Sequence, residues 1–314
     1  MELIRSNINF DFVGLKKWAF VISGLTFFLS IVSLSTHGLN FGLDFAGGAV
    51  LQVRFPGPAP IASVRTALGE IGLAGAVIQE FGSPQEILIR IHQEQQPGGK
   101  DGESAKMSQK IMDAISPLAG KDQKVELRRV EYVGPQVGRE LTVNGIWAVV
   151  YSWLAILVYV GIRFEFRFAV GAVLSLIHDV FIILGFFSFT QKEFSLVVVA
   201  ALLTIIGYSI NDTIVVFDRI RDEIKRMRNY PLEAVINEAV NRTLSRTIIT
   251  SLTVVLVLVA LLFYGGEVIH DFALALLLGV VVGTWSSIYV ASPTVLVLEN
   301  WQKRRQAVRE AATP

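Results

Sequence analysis

GYSINDTIVVFDRIRDE, Gly207–Glu223, is the segment from which the architecture can be worked out. A nearly unbroken apolar run, Phe194–Ile206, precedes it, and the apolar residues resume at Thr213–Phe217 after Asp212. Charged residues from Asp218 onward close the run. Phe194–Phe217 is therefore long enough to cross a bilayer, which takes about 20 mostly apolar residues. It carries a carboxylate inside it. An ionisable side chain in a spanning helix is costly, faces the protein interior or water, and by default marks function. At the rise of an α-helix, Asp212 lies roughly 9 Å from the polar end of its run, short of the bilayer centre.

The rest of the chain agrees with a membrane reading. Of 314 residues, 52% are hydrophobic and only 18% charged, too apolar for an ordinary soluble domain of this size. Six runs qualify as spans: Trp18–Leu34, Leu141–Ile162, Phe168–Thr190, Phe194–Phe217, Thr247–Tyr264 and Phe272–Leu298. The first is longer than the apolar part of a signal peptide and is followed by no small-residue cleavage site, so it reads as an uncleaved helix. Lys and Arg cluster before run one, between two and three, between four and five, and after six. Under the positive-inside rule those sides and both termini are cytoplasmic. The expected fold is an α-helical polytopic membrane protein with six transmembrane helices in a 1+5 layout and a domain outside, in the periplasm. The boundaries are 1–36 for the cytoplasmic N-terminus and first helix, 37–138 for the outer domain, 139–300 for the five-helix bundle, and 301–314 for a basic cytoplasmic tail. Within the bundle, 218–245 reads as a cytoplasmic amphipathic segment. Its residues Leu232, Val235, Ile236, Ala239, Val240 and Leu244 recur at helical spacing, suited to lying on the inner membrane surface or to packing on a partner.

The outer segment has its own pattern. Gly48–Phe55 alternates as a strand, and a helix follows from Pro60. AVIQEF and EILIRIH are strands separated by a Gly82-Ser83-Pro84 turn. QEQQPGGKDGE reads as a loop, SAKMSQKIMDAISPLA as a helix, and KVELRRVEYVG as a last strand. The β-α-β-β-α-β order predicts a ferredoxin-like α+β domain. A folded spacer without a site of its own is the plain alternative.

Asp212 is not an isolated polar residue. Thr204, Tyr208 and Asn211 share its side of the helix, and Thr213 follows it. Thr243, Arg246, Thr250 and Thr253 make a second stripe on the next, antiparallel helix at similar depth. Two such stripes can bury each other, as an Asp212–Arg246 ion pair or across a water-filled seam. A static salt bridge is one reading. The other is proton carriage, because burial and a nearby cation pull a carboxyl's proton affinity in opposite directions and a helix movement changes their balance. His178 and Asp179, with Ser175 on the same face, are relay groups or a closed hydrogen-bonded pair. His270 and Asp271 lie near the outer interface and read as solvated.

Several classes are excluded. With no Cys there is no disulfide, thiolate nucleophile or Cys-ligated metal, and the four His lack metal-ligand spacing. No P-loop is present, and neither YSIND nor LIHD is the G-x-G-D motif of an intramembrane aspartyl protease. No catalytic constellation, cofactor site or metal site is expected, so the chain reads as a non-enzyme. A formal charge of +1 gives no reason to expect nucleic acid.

The sequence resembles the SecF family of bacterial protein-export membrane subunits, within the resistance–nodulation–division superfamily. VVVAALLTIIGYSINDTIVVFDRIRDE resembles the family signature, NFGLDFAGGAVLQVRF its motif after the first helix, and NRTLSRTIITSLT its fifth-helix motif. The resemblance covers essentially the whole chain. It implies a SecD partner, association with the SecYEG channel alongside SecA and YajC, and use of the proton gradient in late preprotein movement across the inner membrane. It also implies that Asp212 and Arg246 are proton-path residues, with an Asp of SecD completing the path. The remaining expectations are a small-molecule half-transporter and a passive scaffold. The outer domain is smaller than those of the superfamily's drug exporters, and a scaffold would tolerate Asp212→Asn.

Overall fold

A computed structural model describes residues 9–92, 101–120 and 123–312 of the chain. Six of its helices are long and apolar enough to cross a membrane. They are α1 (Lys16–Thr36), α5 (Pro135–Arg163), α6 (Phe166–Thr190), α7 (Leu196–Arg226), α8 (Leu232–Tyr264), and a continuous α9 (Glu267–Ser286) and α10 (Ser292–Ala312) joined by a π-helical segment, Ser287–Ala291. Central α6, α7 and α9 bury their faces in one another, while α1, α5 and α8 turn apolar surface outward, as a bilayer permits.

Small residues set the close approaches. A Cβ at Gly279 of α9 would come within 2.4 Å of Ile205, and one at Gly283 within 3.0 Å of Ser209, both on α7. A Cβ at Gly185 of α6 would come within 2.3 Å of Ser30 on α1. Lipid tails are as apolar as Leu, so contact between spanning helices rests on such tight packing. Gly279→Leu is expected to force α9 off α7 and destabilise the bundle by about 1–3 kcal/mol, read as a lower melting temperature of the detergent-solubilised protein.

Between α1 and α5 lies the extramembrane domain. After β1 (Asn40–Phe41) and the single turn α2 (Leu43–Ala46) come β2 (Gly48–Arg54), α3 (Ile61–Glu70), β3 (Val77–Phe81), β4 (Ser83–His92), α4 (Asp101–Ile115) and β5 (Glu126–Val133). The sheet runs β3-β4-β2-β5 with every neighbouring pair antiparallel. Leu51 and Val53 of β2 and Ile87, Ile89 and Ile91 of β4 alternate onto one face, against Val64 and Leu68 of α3 and Ile111 and Ile115 of α4. That face is the domain core. The opposite face, with Gln52, Leu88 and Arg90, borders a cleft of about 340 Å³ against the first turns of α7 and α9.

Three local readings differ from the structure. The turn before β4 is narrower than Gly82-Ser83-Pro84: Phe81 pairs with Ser83 across Gly82 alone, at φ 68°, and Pro84 sits in the strand's first residues. There Pro84 uses its carbonyl, which accepts from Ala59 N–H at 2.8 Å. The expected loop at 93–103 lies partly outside the described residues, and its end belongs to α4, which begins at Asp101. The amphipathic stretch from Leu232 is the start of α8 itself and runs unbroken into the span. Its apolar face does not lie free on a membrane surface. Val235, Ile236, Ala239 and Val240 pack with Phe12, Val13, Phe217 and Ile220, so the partner is this chain's own N-terminal segment and α7. Asn237 and Asn241 accept from the backbone N–H of Phe12 and Phe10 at 2.8 and 2.9 Å, which ties that segment down.

Candidate functional site

The polar core of the bundle holds two buried carboxylates, one on each of two neighbouring helices. Asp212 of α7 accepts from Thr247 Oγ1 of α8 at 2.7 Å and from Ser287 Oγ at 2.6 Å. Asp179 of α6 accepts from Ser209 Oγ of α7 at 2.7 Å and from Ser286 Oγ at 2.8 Å, and His178 Nδ1 lies 3.1 Å from its other oxygen. Ser175 Oγ donates to Ser286 Oγ at 2.9 Å, extending that chain. Gly283 explains why Ser209 reaches Asp179, since a larger residue there would occupy the space of the serine side chain.

The adjacent serines at the junction of α9 and the π segment thus serve different acids. Each hydroxyl has one proton and two acceptors in range. Ser287 Oγ lies 2.6 Å from Asp212 and 3.0 Å from the Thr284 carbonyl. Ser286 Oγ lies 2.8 Å from Asp179 and 3.1 Å from the Gly283 carbonyl. A charged acceptor makes the stronger bond. Were the carboxylate oxygen facing either serine protonated, that serine would have its own helix carbonyl as an alternative acceptor, at the place where the helix leaves α geometry. π segments recur at functional sites for this kind of local adaptability.

Asp212 and Arg246 do not form an ion pair here. Arg246 is exposed on α8, while Thr247, the next residue, takes the contact with Asp212. One residue along a helix is a rotation of about 100°. It turns Arg246, Thr250 and Thr253 toward the exterior with Thr204 and Asn211 of α7, which are exposed too. Thr250 bonds the Arg246 carbonyl at 2.9 Å. Tyr208 reaches Ser251 at 3.4 Å, and Ser251 bonds Thr284 at 2.7 Å. Thr213 is buried, but no hydrogen bond joins it to Asp212 among the described residues. His178 stacks near Phe27 with ring centroids 6.3 Å apart, and its Nε2 is buried without a hydrogen-bond partner among the described residues. His270 and Asp271 are half-exposed, and Asp271 pairs with Lys192 at 3.1 Å.

The sequence reasoning missed Thr247, Ser209, Ser286 and Ser287, and also Glu223. Glu223 is buried near the end of α7 with Arg219, Arg226 and Arg242 at 2.9, 3.3 and 3.4 Å. Arg242 is on α8, so this cluster fastens the ends of α7 and α8 together beyond the acid. The signal for it was the dense charge in DRIRDEIKR, which a solvated face explains equally well.

The family described as "Protein export membrane protein SecD/SecF, C-terminal" matches residues 114–301, and the "SecD/SecF GG Motif" matches residues 32–55. Over 311 residues the chain is 55% identical to the protein translocase subunit SecF of Magnetococcus marinus, covering 99% of each. It is 46% identical over 297 residues to SecF of Vibrio alginolyticus, covering 95% of this chain and 92% of that one. The crystal structure of SecDF, a translocon-associated membrane protein from Thermus thermophilus, superposes with a TM-score of 0.81 at 37% identity. The match covers 95% of this chain and 40% of that one, so the chain spans two fifths of the SecDF length.

Proposed function

The chain belongs to the SecF family of multi-pass protein translocase subunits, and from that premise we propose that it couples proton movement at Asp212 to preprotein translocation. One observation carries this reading. Asp212 is a buried carboxylate inside a span, and its only direct partners among the described residues are two hydroxyls rather than a cation. An acid fixed in a salt bridge serves packing; an acid held by hydroxyls keeps both its protonation states accessible, because a hydroxyl donates to the charged form and accepts from the neutral one. Each proton crossing releases about 2.3 kcal/mol per 100 mV of membrane potential, the work available per event.

The proposal includes a partner. Thr204, Asn211, Arg246, Thr250 and Thr253 lie exposed on neighbouring faces of α7 and α8, where lipid is a poor environment for a guanidinium. SecD is proposed to cover that stripe, to bring an acid of its own toward Asp212, and to keep Arg246 in a polar seam. Transporters of related halves place the coupling ion between them. The pair is proposed to act beside SecYEG in the bacterial inner membrane, with both termini cytoplasmic. The extramembrane domain would then lie on the outer side; its strand order supports the ferredoxin-like class, and its place fits contact with the emerging preprotein. In this reading the chain is a motor subunit without covalent catalysis.

The test is preprotein export in membrane vesicles containing the chain, SecD and SecYEG, with and without an imposed proton gradient. Arg246→Ala is expected to lower the gradient-dependent part about tenfold or more, and Arg246→Lys to keep part of it, since the charge survives without the planar guanidinium. If both variants respond to the gradient as wild type does, Arg246 is not on the path. If the wild-type complex shows no response to the gradient, the motor reading fails.

A further inference from the structure

The motif around Gly42–Gly48 joins the extramembrane domain to the very helix that carries Asp212. Strand β1 pairs in parallel with β6 (Glu193–Phe194), Asn40 opposite Glu193 and Phe41 opposite Phe194. The Gly42 N–H donates to the Phe194 carbonyl at 2.9 Å, and Asn40 Nδ2 donates to the Gln191 carbonyl at the same distance. Asp44 Oδ2 then accepts from the backbone N–H of Leu196, the first residue of α7, at 2.7 Å. Ser195 occupies the N-cap position, but its hydroxyl caps nothing. The acceptor that α7 lacks from its own sequence is supplied from more than 150 positions away, |i−j| being 152. A carboxylate there also meets the positive end of the helix dipole.

The sheet holds the same connection from its other side. Arg90 of β4 pairs with Glu193 at 2.5 Å, and β4 is the neighbour of β2, which begins at Gly48. Two glycine properties make this compact. Gly47 and Gly48 adopt φ of 69° and 130°, so the chain passes from the Asp44 turn straight into β2 by a route closed to other residues. At Gly42 a Cβ would come within 2.6 Å of Glu193 Oε1 and would push it away from Arg90.

We propose that Asp44 is the positioning residue of a rigid joint, the β1–β6 strap, that makes the outer domain move with α7. Leu196 and Asp212 lie on one continuous helix, about 24 Å apart along it, so a displacement at the acid reaches the domain without passing through a loop. This rests on the proposed proton-coupled reading, because the displacement is taken to be set by the proton state of Asp212.

The experiment uses the full chain with SecD in lipid. Asp44→Ala is expected to speed amide hydrogen exchange at Leu196 about tenfold, the usual effect of losing a cap, and to lower gradient-driven export by a similar factor while gradient-independent export stays unchanged. Asp44→Asn keeps an oxygen acceptor without the charge and is expected to fall between, which preserves the test if the alanine variant folds poorly. The decisive arm replaces the strap covalently. The chain has no cysteine, so Asn40→Cys with Glu193→Cys adds a single possible intrachain bridge. In the Asp44→Ala background, oxidation of that pair is expected to restore export and reduction to remove it. Wild-type export by Asp44→Ala overturns the proposal. So does an oxidised bridge that restores exchange protection at Leu196 but not export, since Asp44 would then be a static cap. A wild-type complex indifferent to the gradient fails the export reading instead, and unchanged exchange in Asp44→Ala then still overturns the joint.

Discussion

Asp212→Asn is expected to abolish the gradient-dependent part of preprotein export while the chain stays folded, inserted and bound to its partner. The substitution changes little in size. The asparagine oxygen still accepts from one of Thr247 and Ser287, and its NH₂ donates to the hydroxyl of the other, which simply rotates. Both partners stay satisfied, so the structural penalty is of the order of one neutral hydrogen bond, about 1 kcal/mol. What disappears is the ability to gain and lose a proton. In vesicles, export driven by ATP alone is expected to match wild type, and the increment from an imposed gradient to fall by more than tenfold. Asp212→Glu retains the chemistry but lengthens the side chain in a buried site held between Thr247 and Ser287, and is expected to retain only part of the increment. A normal gradient response from Asp212→Asn removes the motor reading and leaves a scaffold.

The number of spans, the place of the inserted domain and its β-α-β-β-α-β element order were legible because each depends on patterns of a whole segment. Length and hydropathy mark a span, and alternation marks β2 and β4. The site was legible at its acids, because a carboxylate within an apolar run needs a reason. It was not legible at its hydroxyls. Thr247, Ser209, Ser286 and Ser287 are residue types common in spanning helices, where they usually bond their own helix, as Thr204 and Thr250 do here with the carbonyls four residues earlier. Spacing along one helix gives the relative directions of Arg246 and Thr247 but not which of them faces α7. That rotation goes with contacts distant in sequence, such as the packing of Val235, Ile236, Ala239 and Val240 at the α8 start with Phe12, Val13, Phe217 and Ile220. The π segment left no mark in SSIYVAS beyond its serines.

Asp179→Ala is expected to be more damaging to the fold than any change at Asp212, and to silence the motor through a different route. Asp179 is 1% exposed and gathers three donors from three helices: His178 beside it on α6, Ser209 on α7 and Ser286 at the end of α9. Alanine leaves His178 and Ser209 pointing at a cavity, while Ser286 keeps the Gly283 carbonyl as an acceptor. Stranding buried donors costs about 1–3 kcal/mol each before relaxation, so a loss of at least about 2 kcal/mol is expected, seen as a fall in the melting temperature of the solubilised protein. Asp179→Asn separates the two effects. It fills the space and restores one acceptor, yet its NH₂ meets a hydroxyl that already receives the Ser175 proton or one that must turn away from Asp179. It is expected to recover most of the stability. Export should recover less, because Ser286 no longer has a charged acceptor and the neighbouring Ser287, which holds Asp212, loses its fixed neighbour. Ser286→Ala should then reproduce the export defect of Asp179→Asn, at a cost of about 1–3 kcal/mol because the buried Ser175 hydroxyl loses its acceptor, and combining the two should add nothing further to the export defect. Additive export defects would mean that the two carboxylates act separately and that the paired serines do not link them.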